Sequence, residues 1–80
     1  MSRYFFHVHD TVHIVDEHGT ELPNIDAARR HAVSYASELL AEHPDRIWTG
    51  EKWSMEITNR DGLLFFRIDI EATLARHVYS

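Results

Sequence analysis

The sequence predicts an α+β fold: a two-layer sandwich in which an antiparallel sheet of about four strands, in ββαββ order, carries one long helix on one face. Three patterns predict it. Two short strand-like segments come first, an alanine-rich stretch with helical spacing follows, and two segments of alternating hydrophobicity lie towards the C-terminus. Because 80 residues suffice for one small domain, we expect residues 1–80 to fold as a single unit.

The N-terminal segment is expected to form two strands. Along residues 3–9, side chains that face the core alternate with side chains that face outward. The expected core positions are Tyr4, Phe6 and Val8, and the expected outward positions are Phe5, His7 and His9. A second short strand is expected over residues 12–15, before a turn that ends at Gly19. A three-residue loop after His9 would place His13 opposite it and outward, whereas two or four residues would turn His13 inward.

The helix is expected to run from Asn24 to His43. Asn24 is a good N-cap, Asp26 lies in the first turn where the helix dipole favours a carboxylate, and Pro44 ends the run. One helix of this length covers only one face of a four-stranded sheet. The other face must therefore meet water or another chain.

The C-terminal half predicts a hairpin around Asn59-Arg60-Asp61-Gly62. With these four residues as the loop, the apolar pairs are Ile57–Leu64, Met55–Phe66 and Trp53–Ile68. On the opposite face, Ser54 then meets Arg67, Lys52 meets Asp69, and Glu56 lies diagonal to Arg67. Trp48 is expected to cap the joint between helix and sheet. Residues 71–80 are expected to form a frayed or partner-bound tail.

Composition excludes several classes of function. Thirteen acidic and eight basic residues give a formal charge of −5, which argues against direct binding of nucleic acid. The chain has no cysteine, so it holds neither a disulfide nor a cysteine-based metal site, and a reducing compartment suits it. Its N-terminus lacks the apolar core of a signal peptide, and no segment approaches the length of a membrane span. We therefore expect a cytoplasmic protein with no membrane partner.

Nothing in the sequence predicts catalysis. The three glycines are isolated, so there is no glycine-rich phosphate loop, and no serine lies in a nucleophile elbow. The carboxylates of the first hairpin are explained by turn chemistry and by the start of the helix. We predict no catalytic residue and no cofactor.

The histidines form a candidate metal site. His7 and His9 point the same way in a strand, and a three-residue loop would add His13 to the same face. Three imidazoles in that arrangement suit zinc or another borderline divalent ion. The alternative is that they are solvated or hydrogen-bonded side chains on an open sheet face.

The outward face of the sheet is the candidate interface. Phe5 and Phe65 are large apolar side chains at positions predicted to face away from the helix. The expected polar rim around them consists of Arg67, Glu56 and Asp69. We expect a second copy of the chain, in a homodimer, either to cover this open face or to pair along an exposed edge strand.

Several segments resemble a known family. They are the opening Arg3-Tyr4-Phe5-Phe6-His7-Val8-His9-Asp10, the stretch from Asp16 to Pro23, the helix start from Ile25 to Arg29, Trp53, and the Asp61-Gly62 turn. Together they resemble a family of small alphaproteobacterial proteins classed as a domain of unknown function. A fainter, fold-level likeness is to antitoxin domains of the HicB type, in which a strand region leads through a proline into an alanine-rich helix. The first resemblance implies no activity and no catalytic residues.

Three hypotheses follow. The first is a non-enzymatic protein-interaction module that self-associates. The second is a metal- or pH-responsive protein that acts through His7, His9 and His13. The third, favoured by the acidic charge, is an antitoxin-like neutraliser of a basic protein partner.

Overall fold

The computed structural model of the chain describes residues 1–10, 13–50 and 52–75. Its elements in chain order are β1 (Ser2–His9), β2 (His13–Ile14), β3 (Thr20–Leu22), α1 (Ile25–Glu42), β4 (Trp53–Thr58) and β5 (Leu64–Ile70). A short 3₁₀ turn, Arg46–Thr49, follows the helix. The predicted α+β architecture, an open antiparallel sheet with one long helix, is confirmed. Among the described residues, none of the helices combines the length and the apolar character needed to cross a bilayer.

β1 is an interior strand of the sheet with neighbours on both sides. It pairs with β4 on one side, and on the other side with β3 near its start and with β2 near its end; every pairing is antiparallel. The strand order is β2-β1-β4-β5, with β3 also on β1. One border of the sheet is thus an interrupted strand formed by β2 and β3, and the other border is β5. The observed pair His9–His13 is the one expected for a three-residue connection.

α1 forms as predicted. The side chain of Asn24 accepts a hydrogen bond from the backbone N–H of Ala27 at 2.9 Å, and His43 follows the last helical residue. Alanines 28, 32 and 36 are buried and let the helix lie close to the sheet. Opposite them lie the buried side chains Tyr4, Phe6, Val8, Trp53, Met55 and Ile57. We call this side of the sheet the helix face and the other side the reverse face.

The predicted register of the β4–β5 hairpin is wrong by two residues. Ile57 lies opposite Phe66, Met55 opposite Ile68 and Trp53 opposite Ile70. One cause is a longer loop: the side chain of Asn59 accepts from the N–H groups of Asp61 and Leu63, both at 2.9 Å, so Leu63 joins the loop. This brings Leu64 opposite Thr58 and accounts for one residue of the shift. A bulge beside Ile57 and Thr58 adds the second residue and places Phe66 opposite Ile57. Because the shift is two, Met55 and Ile57 still face the helix, and Glu56 lies directly opposite Arg67.

Two expectations for the connecting segments have different outcomes. Trp48 does not cap the joint between helix and sheet: it is 54% exposed, and Ile47 packs against the core instead. In the C-terminal tail, residues 71–75 carry no regular secondary structure, and the remainder, 76–80, lies outside the described residues.

Candidate functional site

The gap between β2 and β3 is closed by one side chain, that of Asp16. One of its carboxylate oxygens accepts from the backbone N–H of Phe6 on β1 at 3.1 Å. The other oxygen accepts from the N–H groups of His18 and Gly19, at 3.1 and 2.9 Å. The carboxylate therefore replaces the strand backbone that is missing between residues 15 and 19.

These contacts keep Asp16 ionised. Burial raises the pKa of this carboxyl, but hydrogen bonds from the N–H groups of Gly19, Phe6 and His18, together with nearby His7, outweigh it, so the pKa lies below its ordinary value. Asp16 is thus a charged structural group at neutral pH.

His7 connects this segment to β4. Its Nδ1 accepts from the backbone N–H of Asp16 at 3.1 Å, so the ring proton of the neutral form lies on Nε2. Nε2 then donates to the hydroxyl of Thr58 at 3.0 Å, and that hydroxyl donates to the carbonyl of Asn59 at 2.9 Å. Both ring nitrogens of His7 therefore form hydrogen bonds within the domain.

His9, His13 and Glu56 form a chain of contacts on the reverse face. The Nδ1 atoms of His9 and His13 are 2.8 Å apart, so one must donate and the other accept, and only one proton fits between them. On the other side of the His9 ring, Nε2 lies 2.7 Å from Oε1 of Glu56 without the alignment of a hydrogen bond. The arrangement ties β2, β1 and β4 together through two imidazoles and one carboxylate.

The three residues predicted as a polar rim lie close together across β4 and β5. Glu56 is the cross-strand partner of Arg67, and Arg67 Nε is 3.3 Å from Oδ2 of Asp69. They border a shallow polar groove of about 260 Å³ on the reverse face. The groove is lined by His9, Lys52, Ser54, Glu56, Arg67 and Asp69.

Residues 3–71, from β1 to just past β5, match the family model of a domain of unknown function, DUF6894. The chain belongs to this family. The resemblance noted in the sequence is thereby confirmed at the level of the family. Comparisons of this DUF6894 domain with curated proteins and with solved structures found no match.

The DUF6894 domain does not assemble the predicted site of His7, His9 and His13. His7 is engaged by Asp16 and Thr58. The 2.8 Å between His9 and His13 is shorter than the roughly 3.3 Å that two nitrogens keep around a shared tetrahedral zinc. Among the described residues, no three metal-ligating side chains are grouped so as to hold an ion. The pairing of His9 with His13 decides between the two parities that the sequence leaves open, but parity alone does not reveal the partners of each ring.

Phe5 is not an exposed interface residue in this DUF6894 domain. It does lie on the reverse face, but it is only 5% exposed. Gly19 lies against its ring, since a Cβ at that position would come within 2.9 Å of it, and the guanidinium of Arg60 lies 5.5 Å from the ring centroid. The chain itself therefore covers the part of the reverse face that was predicted to be apolar and open.

Phe65 also departs from its predicted position. The bulge in the β4–β5 pairing changes the alternation at this point, and the ring packs 5.4 Å, centroid to centroid, from that of Tyr4, a helix-face residue. It remains 44% exposed, and the preceding Leu63 and Leu64 are 64% and 47% exposed. Exposed apolar side chains of the DUF6894 domain thus lie at the start of β5, whereas Phe5, in the middle of the reverse face, is covered.

Proposed function

We propose that this DUF6894 domain is a non-enzymatic, cytoplasmic protein-interaction module that self-associates as a homodimer, and that the contact runs along β5. The observation that supports this most is the position of β5. It is a seven-residue strand that pairs with β4 on one side, and within the described part of the chain no strand pairs with its other side. A long unpaired strand edge is a template for pairing with another chain.

The direction of the backbone groups of β5 follows from contacts on β1. The N–H of Phe6 donates to Asp16, so it points towards β2 and β3. Backbone groups of successive residues point to opposite sides of a strand, so those of His7 point towards β4. His7 lies opposite Glu56, whose backbone groups therefore point back towards β1.

The same alternation continues across the sheet. The backbone groups of Met55, next to Glu56, point towards β5, where Met55 lies opposite Ile68. Those of Arg67 and Asp69, on either side of Ile68, therefore point away from the sheet. Their N–H and C=O groups are the ones that a second strand would meet.

The partly exposed apolar side chains along β5 would be stabilised by contact with another protein, which removes them from water. Phe66, Ile68 and Ile70 pack against the core but stay only partly buried. Another strand beside β5 would bury more of these three side chains. Exposed Leu64 and Phe65 extend the apolar surface at the start of the strand.

Light scattering over a range of concentrations tests this function. We expect the wild-type protein to have twice the mass of the chain at high micromolar concentration. Of the backbone hydrogen-bonding groups, Arg67→Pro removes only an outward N–H, so this variant should be folded but monomeric, since proline is tolerated on edge strands and blocks their pairing. Arg67→Ala keeps that N–H and is the matched control, with the dimer retained.

Each of the other outcomes counts against the proposal. A wild-type monomer at high micromolar concentration would exclude self-association. A dimer that survives Arg67→Pro would place the interface elsewhere than β5.

A second candidate function, a response to pH, is favoured by the contact between His9 and His13. Free imidazole titrates near pH 6.5. When both rings are protonated, two N–H groups confront each other across 2.8 Å, and only the single carboxylate of Glu56 lies beside His9. The other charged groups of the neighbouring groove are Lys52, Arg67 and Asp69.

We expect the pairing of β2 with β1 to weaken as pH falls from 7 to 5. Thermal unfolding should show a larger loss of stability over this range in the wild type than in His13→Asn, which removes one of the two facing rings. His18→Asn, an exposed histidine of the 15–19 segment, is the control and should behave like the wild type. Equal pH dependence in all three proteins would eliminate this candidate.

A further inference from the structure

We propose that two copies of β5 pair antiparallel about a two-fold axis at Ile68, so that Arg67 of each copy lies opposite Asp69 of the other. This inference rests on the proposed self-association and adds the register of the contact. It is drawn from the order of charges along the edge, a positive and a negative side chain two residues apart on the same face of β5.

Backbone geometry allows only certain registers. Arg67 and Asp69 carry the outward N–H and C=O groups, so residues of this parity must lie opposite each other to exchange hydrogen bonds. With the axis at Ile68, Arg67 of each copy lies opposite Asp69 of the other. This gives two pairs whose backbones exchange hydrogen bonds. Ile68 of one copy then lies opposite Ile68 of the other. Residues in such a pair exchange no backbone hydrogen bonds, and their Cα atoms are about 4.5 Å apart.

Neighbouring registers pair the charged side chains of β5 less favourably. An axis at Arg67 places the two Arg67 side chains opposite each other, and an axis at Asp69 does the same for the two carboxylates, which is unfavourable in either case. An axis at Phe66 sets Arg67 opposite Phe65 and leaves both charges without a partner of opposite sign. Only the axis at Ile68 satisfies both charges of both copies.

The same register also serves the apolar side chains. Phe66 of one copy lies opposite Ile70 of the other, on either side of the Ile68 pair. All three belong to the partly buried row of β5 that faces the helix side. Apolar contacts thus form on one face of the continuous sheet and two charge pairs on the other, as cross-strand pairing favours.

Single cysteines test the register, because the natural chain has none. Under mild oxidation, Ile68→Cys should give a disulfide-linked dimer, since a Cα separation of about 4.5 Å is within disulfide range. Arg67→Cys and Asp69→Cys are the matched controls and should cross-link far less. In this register a cysteine at residue 67 lies opposite Asp69 of the other copy, and a cysteine at residue 69 lies opposite Arg67, so two cysteines do not meet. Preferential cross-linking at residue 67 or 69 would overturn this register.

Charge reversal gives an independent readout. Arg67→Asp and Asp69→Arg should each raise the dimer dissociation constant by on the order of tenfold, since each sets like charges opposite each other twice. The double variant restores opposite charges and should regain most of the affinity. Unchanged affinity in both single variants would overturn the register while leaving self-association standing, whereas a monomeric wild type would refute both.

Discussion

Replacing Asp16 with alanine is expected to lower the free energy of unfolding at pH 7 by about 3 kcal/mol. The substitution removes one carboxylate that accepts from three backbone N–H groups, those of Phe6, His18 and Gly19. Hydrogen bonds to a charged group contribute more than neutral ones, and the N–H of Phe6 would lose its partner inside the sheet. A domain of this size has only about 4–12 kcal/mol of stability, so the loss is severe.

Urea denaturation followed by circular dichroism measures this change. Glu17→Ala removes the adjacent, exposed carboxylate and is the control, with an expected change within about 0.5 kcal/mol. If Asp16→Ala unfolds at the same urea concentration as the control, the carboxylate does not hold the gap between β2 and β3 closed.

The cost of Asp16→Ala should also depend on pH. Because the pKa of Asp16 is lower in the folded than in the unfolded protein, its contribution is complete above the unfolded value, near 3.9. The contribution is lost as pH falls through the lower, folded value. The difference in unfolding free energy between the wild type and Asp16→Ala should therefore be constant from pH 7 to about 5 and decrease below pH 4. An unchanged difference at pH 3 would show that the ionised carboxylate is not what stabilises this segment.

Substituting Gly19 with alanine is expected to cost about 2–3 kcal/mol. Gly19 has φ +72°, a conformation that L-residues adopt only at a cost of about 1–2 kcal/mol. A Cβ there would also lie 2.8 Å from Cγ of Arg3 and 2.9 Å from the ring of Phe5. The Arg3 stem can move, but the Phe5 ring is buried, so the overlap must displace packed atoms.

Gly62→Ala separates these two causes. Gly62 has a similar φ, +88°, but a Cβ at this position would meet no heavy atom within 4 Å beyond its chain neighbours, so only the backbone cost applies. Thermal or urea unfolding should therefore show a smaller loss for Gly62→Ala than for Gly19→Ala. Equal losses would mean that packing against Phe5 contributes nothing at residue 19.

Features that depend on residues close together in the sequence are predicted well. The helix starts at the asparagine cap and ends before Pro44, as expected from residues that act within one turn. The helix-face set Trp53, Met55 and Ile57 follows from period-two alternation, and this survives a register error of two residues. Local rules are sufficient where the partner lies within a few residues or where only parity matters.

The expectations that failed depend on side chains that are distant in sequence. Phe5 is buried because Gly19 and Arg60 come to lie against it, and neither contact can be derived from strand alternation. The hairpin register depends on Asn59 capping the loop with its side chain, which a four-residue turn does not anticipate. Asp16 looked like an ordinary turn residue, although a side chain that replaces missing strand backbone is the main feature of this border.

The candidate interface was predicted only in part. Glu56, Arg67 and Asp69 do lie together, because all three share one parity on neighbouring strands. That β5 is a border strand depends on the strand order, and the order depends on which strands β1 pairs with. Strand order is a property of the whole sheet, so identifying β5 as the edge strand, and preferring its edge to the reverse face, required the structure.

Amide hydrogen exchange measured residue by residue, at about 10 μM and at about 1 mM protein, tests most directly whether a second copy pairs along β5. The amides of Arg67 and Asp69 point outward, so they should exchange rapidly in the dilute sample and slowly in the concentrated one. Those of Ile68 and Ile70 point towards β4 and should be protected equally in both, which makes them internal controls. Rapid exchange of Arg67 and Asp69 at both concentrations would contradict the account.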